Sequence, residues 1–145
     1  MKIKELKPAQ VVLEDSGTVR VTLKDEFNVS LEEAQELSSV FGEFCQSEKR
    51  NFLIDARNSF AKIPEEVKFI ATNDPNQTTT RNATAILINT LANKVLTDFY
   101  IRVFKPSVPT KVFNDEEKAL KWLDTVSQNS TTFIVEKAKV YLPQT

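Results

Sequence analysis

Apolar residues along this chain change their spacing several times, and each change marks a different element. Residues Val11 to Glu14 and Thr18 to Leu23 are β-branched and apolar runs separated by Asp15-Ser16-Gly17. Gly17 can take a positive φ without steric cost, so the pattern predicts a hairpin that opens a sheet. Val19, Val21 and Leu23 alternate with Arg20 and Thr22, which puts one face of the second strand in a core and leaves the other partly polar. From Ser30 the period lengthens. Ala34, Leu37, Val40, Phe41 and Phe44 recur every three or four residues, and Ser30 with Glu33 has capping-box spacing. A helix over Leu31 to Gln46 follows, with Glu32, Glu36, Ser39 and Glu43 on its wet side.

Phe52-Leu53-Ile54 is a continuous apolar run that ends at Asp55, as expected of a central strand covered on both faces. Pro64, followed by Glu65 and Glu66, suits the first turn of a short helix with Val67, Ile70 and Ala71 on its apolar side. Asp74 to Asn82 reads as a polar surface loop, and Ala83 to Ile88 as another short strand. Leu91, Val95, Leu96 and Phe99 then take helical spacing, with Asn89 or Thr90 available as a cap, and the apolar character continues to Pro106. Thr110 to Phe113 reads as a strand. Asn114 can cap the helix after it and Glu117 can close the box, with Ala119, Leu120, Trp122, Leu123 and Val126 as the buried stripe. Beyond Ser127, Thr132 to Val135 and Lys139 to Leu142 look strand-like, and the second could pair with a sheet edge or with another subunit.

A hairpin followed by repeated helix-to-strand returns requires crossovers, because parallel strands cannot be joined by tight turns. The fold class expected is therefore α/β: a mixed, mainly parallel sheet of four to five strands with crossover helices. Residues 1–126 form the expected domain, and 127–145 an extension that serves as an added edge strand or a dimer arm.

Composition narrows the function. Nineteen basic and twenty acidic residues give a net charge of -1, so no long-range field gathers nucleic acid, and a nucleic-acid partner is not expected. The paired cations Lys49-Arg50 read as a helix end in water. No run of about 20 apolar residues is present to span a membrane, and the N-terminal segment lacks the apolar stretch of an export signal. A cytoplasmic location is the expectation, and the Asn-x-Ser/Thr sites at Asn28, Asn76, Asn82 and Asn129 then read as turn or capping residues.

The chain has no histidine and one cysteine. Ser-His-Asp and Cys-His machinery is thereby excluded, as are zinc sites built on His or on several thiolates. With only Gly17 and Gly42, neither glycine-rich phosphate cradle can form. The pairs Glu32-Glu33, Glu65-Glu66 and Glu116-Glu117 diverge by about 100 degrees around a helix and suit caps or solvent. Cys45 reads as a structural thiol, and no cofactor or metal is expected.

Two segments stand out as candidate contact sites. Asp55-Ala56-Arg57-Asn58-Ser59 follows the expected central strand, and loops at strand ends in α/β sheets converge to form ligand or partner sites. Asp55, Arg57, Asn58 and Ser59 are accordingly candidate partner-binding residues, the alternative being an Asp–Arg surface pair with Asn and Ser completing a turn. Phe99, Tyr100 and Phe104 make the helix before Pro106 apolar on more than one side, which suits contact with a second copy or with a small apolar ligand.

The strand Asn51 to Asp55, the crossover through Pro64, the strand Ala83 to Ile88 and the ending Thr110-Lys-Val-Phe-Asn-Asp-Glu-Glu-Lys-Ala-Leu-Lys-Trp-Leu123 resemble small bacterial proteins of the STAS/SpoIIAA-like fold class. The likeness covers about residues 10 to 126. In the anti-sigma-factor-antagonist branch a strand-end Asp precedes an Asp-Ser-Ser segment whose serine is phosphorylated. Asp55 matches the strand-end Asp, but Ile63, Pro64 and Glu65 occupy the Asp-Ser-Ser positions, so the resemblance does not bring that phosphorylation here. It implies a non-enzymatic regulatory or protein-interaction module, acting on a regulatory protein or as a homodimer. Carriage of a small apolar or lipid-like ligand is the second implied role.

Overall fold

The computed structural model describes residues 1–24, 30–46, 48–57, 81–89 and 108–126. These residues form one six-stranded mixed sheet whose spatial order follows the chain. Its strands are β1 (Lys2–Glu5), β2 (Ala9–Leu13), β3 (Val19–Leu23), β4 (Arg50–Asp55), β5 (Arg81–Leu87) and β6 (Thr110–Phe113). β1, β2 and β3 are antiparallel to one another, while β3 to β6 are joined by parallel ladders. Two helices are described: α1 (Leu31–Cys45) and α2 over residues 116–126.

The sheet is α/β and mixed as the spacing requires, with a strand more than the four to five expected. The added strand is β1, and all four of its residues are exposed. Its Lys-Ile-Lys-Glu sequence offers Ile3 as its one apolar side chain, and that is 60% exposed, because β1 is an edge of the described sheet with little covering it on either side. Lysines at such an edge are a natural guard against pairing with another chain.

Period-two alternation sends neighbouring residues of β4 to opposite faces, and both are closed: Phe52 and Leu53 each have no exposed surface. Phe52 lies in the cluster formed with Ala9, Val11, Val19 and Val21 of the sheet and Leu37, Val40, Phe41 and Phe44 of α1. Leu53 lies in the other, with Ala83, Ala85 and Leu87 of β5 and Ala119 and Leu123 of α2. The two helices therefore cover opposite faces. α1 sits over β2 to β4, and α2 is displaced toward β4 to β6.

Both helices start at side-chain caps. Ser30 Oγ accepts from the Glu33 amide at 3.2 Å and Glu33 Oε1 accepts from the Ser30 amide at 3.2 Å, so the expected capping box is complete. At the far end Gln46 takes φ 50 and donates its N–H to the Gly42 carbonyl, a left-handed stop. In α2 the cap is Asp115, one residue later than Asn114: its Oδ1 accepts from the Lys118 amide at 3.1 Å. The third helical position is then a lysine, so Glu117 closes no box. Trp122 is half-buried against Phe113, with ring centroids 5.5 Å apart, while Ala119 and Leu123 carry the fully buried part of the stripe. Cys45 has no exposed surface.

Expectations for the helix after Pro64, the helix from Leu91, and residues 127–145 fall outside the described residues.

Candidate functional site

The chain leaves β4 through a turn built by one carboxylate. Asp55 Oδ1 accepts from the Arg57 backbone amide at 3.1 Å, an Asx turn that ends the strand. The same carboxylate holds the Arg57 side chain in a fork: Nε to Oδ1 at 3.0 Å and Nη2 to Oδ2 at 2.8 Å. Parallel bonds from a planar guanidinium fix its orientation as well as its position. Arg57 is thus preorganised by the residue that turns the chain, while its side chain keeps 38% of its surface exposed against 13% for Asp55.

The network extends to the first turn of α2. Glu116 Oε1 accepts from Arg57 Nη2 at 3.4 Å and from Arg20 Nη1 at 2.8 Å. Arg20 also lies 3.7 Å from Glu14. Register explains the convergence. Arg20 stands opposite Leu53 and Thr22 opposite Asp55, so Arg20 and Asp55 share the face that α2 covers. α2 is shifted toward β6, and the strip above β3 that its apolar side leaves open is filled by charge.

Burial pushes the Asp55 carboxyl up, but the hydrogen bonds from the Arg57 side chain and amide, helped by the charges of Arg57 and Arg20, hold it below the ordinary carboxylate range. The Arg20 hydrogen bond holds Glu116 low as well. Each guanidinium is raised in turn by its carboxylate, Arg20 by Glu116 and Arg57 by Asp55. Near neutral pH all four groups are therefore charged, and none is poised to exchange a proton. Such a cluster suits ionic recognition and fixed geometry rather than acid–base chemistry.

Among the candidate residues, the structure brings Asp55 and Arg57 together. Asn58 and Ser59 lie outside the described residues, as do Phe99, Tyr100 and Phe104. Sequence reasoning missed Arg20 and Glu116. They are far apart in the chain, and their opposite charges on a strand's polar face and in a helix's first turn were the available signal; the register that joins them was not.

Lys49 and Arg50 end no helix: α1 stops at Cys45 and Arg50 begins β4. Among the described residues, no group of three or more His, Cys, Asp or Glu side chains is placed to hold a metal ion. No described helix is long and apolar enough to cross a membrane.

Residues 12–127 match a family described as a domain of unknown function, DUF7793, and the chain belongs to that family. None of the curated proteins compared with it matches. Among solved structures, the chain is similar to an uncharacterised protein of the DUF3478 family from Shewanella loihica PV-4 that has a SpoIIAA-like fold. That pair shares 12% identity at a TM-score of 0.56, covering 84% of this chain and 90% of the other. A protein of unknown function from Arthrobacter sp. FB24 matches at 21% identity and a TM-score of 0.28, over 78% of this chain and 90% of that one. The fold of the present chain is SpoIIAA-like, a mixed α/β sheet, as its resemblance to that class implied.

Proposed function

We propose that this protein is a non-catalytic interaction module that binds a partner protein at the carboxyl end of β4. The supporting observation is the state of Arg57. Its guanidinium is locked by the two bonds it donates to Asp55 and still presents more than a third of its side chain to solvent. A cation held in one orientation loses little freedom when an acidic group on a partner meets it, so its ordering cost is met during folding and not during binding. Glu116 and Asp55 beside it add a fixed alternation of sign, which favours a partner of matching pattern and penalises a mismatched one. The same reading places the protein in the cytoplasm, where the buried thiol of Cys45 stays reduced.

Quantitative affinity capture with four forms of the protein tests this: wild type, Arg57→Glu, Arg57→Lys, and Glu43→Lys on the exposed side of α1. A specific partner should be retained by wild type and Glu43→Lys, weakened by Arg57→Lys, which keeps the charge without the fork, and lost with Arg57→Glu. Equal retention by wild type and a folded Arg57→Glu variant would remove the proposal, and so would a wild type that retains nothing above the empty matrix.

A further inference from the structure

At the opposite end of β4, one strand length of roughly 17 Å away, lies a polar feature that takes no part in the network around Asp55. A depression is lined by Ser16, Gly17 and Thr18 of the β2–β3 turn, Lys49 and Arg50 at the start of β4, and Asn82 of β5. We propose that it binds a phosphoryl group, as free phosphate or as a phosphate monoester.

Charge is the first ground. Lys49 and Arg50 stand side by side where β4 begins, and both line the depression. Among the described residues, Glu48 is the acid that answers Arg50, accepting from its Nη2 at 3.2 Å. The salt bridges of the described residues leave the Lys49 ammonium without a partner. In a chain of net charge -1, this is a local surplus of positive charge, the condition under which a doubly charged anion gains most.

Construction is the second. The Arg50 side chain is 18% exposed; its Nη1 donates to the Gly17 carbonyl at 3.3 Å, and its Nε is buried without a partner. Gly17 takes φ +92, and a Cβ there would lie 3.1 Å from Arg50 Nη1, so the glycine makes both the turn and the seat of the guanidinium. The register slips between Arg50 and Asn51, pairing Arg50 with Arg81 and Asn51 with Ala83. Asn82 is left as the extra residue of a bulge, and its Nδ2 donates to the Lys49 carbonyl at 3.2 Å. Bulges re-aim side chains and recur beside functional sites. Here the bulge fixes the backbone that carries the unpaired lysine.

Chemistry is the third. The lining offers an ammonium, a guanidinium, the hydroxyls of Ser16 and Thr18 and a side-chain amide, all able to donate to phosphate oxygens. It offers almost no apolar surface, which excludes an apolar molecule as the occupant.

Amide chemical-shift titration of the full chain, at fixed ionic strength, tests the assignment with inorganic phosphate, O-phosphoserine, acetate and chloride. Inorganic phosphate should give saturable shifts at Gly17, Thr18, Asn51 and Asn82 that chloride and acetate do not reproduce. Lys49→Gln should weaken binding about three- to fivefold, the size expected when one exposed ion pair is removed, and Lys121→Gln, which removes the same charge from the exposed side of α2, should leave it unchanged. Tighter binding of O-phosphoserine identifies a monoester as the source, and equal or weaker binding identifies free phosphate. Shifts that grow linearly, that acetate or chloride reproduces, or that persist unchanged in Lys49→Gln would overturn the proposal.

Discussion

The two faces of the sheet are closed in different ways. Over β2 to β4, α1 meets the strands mainly with apolar side chains: Val11, Val19, Val21 and Phe52 below; Leu37, Phe41 and Phe44 above, with Ser38 the buried polar residue of the helix. Phe41 and Phe52 touch edge to face at 5.2 Å, and the guanidinium of Arg81 caps the pair from 4.2 Å above the Phe52 ring. On the other face α2 meets small residues, Ala83 and Ala85 against Ala119, with Leu53, Leu87 and Leu123 around them. Alanines let the helix approach closely, but they fill only the strip above β4 and β5. The strip above β3 is closed by Arg20, Glu116, Arg57 and Asp55. Stability on the first face comes from area removed from water, and on the second partly from charges whose worth depends on their partners. A surface closed by charge can also present some of it outward, which is why the proposed contact lies there.

Phe52 and Leu53 are adjacent and equally buried yet point to opposite faces, so paired truncations compare the two directly. Phe52→Ala should cost about 3–5 kcal/mol and Leu53→Ala about 2–4 kcal/mol in chemical denaturation. The larger value falls on Phe52, which also loses its aromatic neighbour and the stacked arginine. A Leu53→Ala loss equal to or above that of Phe52→Ala would show that the face of α2 is the better packed.

Arg57→Ala addresses the ionic strip, with an expected loss near neutral pH of about 1–3 kcal/mol, because Asp55 is left largely buried without its partner. The pH dependence carries the sign. Asp55 and Glu116 are held below their ordinary values in the folded protein. Their contribution is therefore complete above the ordinary carboxylate range and is lost as pH falls through the lowered folded values. In Arg57→Ala the side-chain bonds and charge that lower Asp55 are gone, so its carboxyl rises from its wild-type position and the variant is most handicapped where that carboxyl must ionise. Urea midpoints of the two proteins should converge on acidification; a gap that stays constant or widens would show that Arg57 acts through packing alone.

The smallest effect belongs to the cap beneath this strip. Asp115→Ala should cost about 1 kcal/mol, and it should also lower the midpoint of Arg57→Ala by less than it lowers that of wild type, since Glu116 takes its place in the network from the turn Asp115 starts. Strict additivity in the double-mutant cycle would separate the cap from the ionic strip.

How far these features were legible follows from the range over which each is determined. The α1 capping box joins residues three apart, so Ser30 and Glu33 announced it. β4 was legible because its apolar run is too short for a helix, is bounded by polar residues and suits a strand covered on both faces. β1 was not: at an exposed edge its pleat buries nothing, and Lys-Ile-Lys-Glu carries no period. Asp115 displaced Asn114 as the cap because either side chain can accept from an amide, and the turn after β6 selects between them. At the candidate site, Asp55 and Arg57 were visible because strand end and turn are local. Arg20 and Glu116 were hidden because their meeting needs the β3–β4 register and the lateral shift of α2, which follow from assembly of the whole sheet.

The order of the strands also sets a timetable for folding. In the β2–β3 hairpin, partners such as Leu13 and Val19 are close in sequence, whereas Val19 must find Phe52, and Phe52 must find Thr84, across long stretches of chain. Local pairings close within microseconds and distant ones much later. During synthesis, then, the segments of β1 to β3 and α1 are made before β4, and a hairpin formed in that interval would carry an open β3 edge on the side that β4 occupies in the finished sheet. A chain halted short of Phe52 would lack the strand that pairs with this edge of β3 and would leave its backbone groups open to another chain.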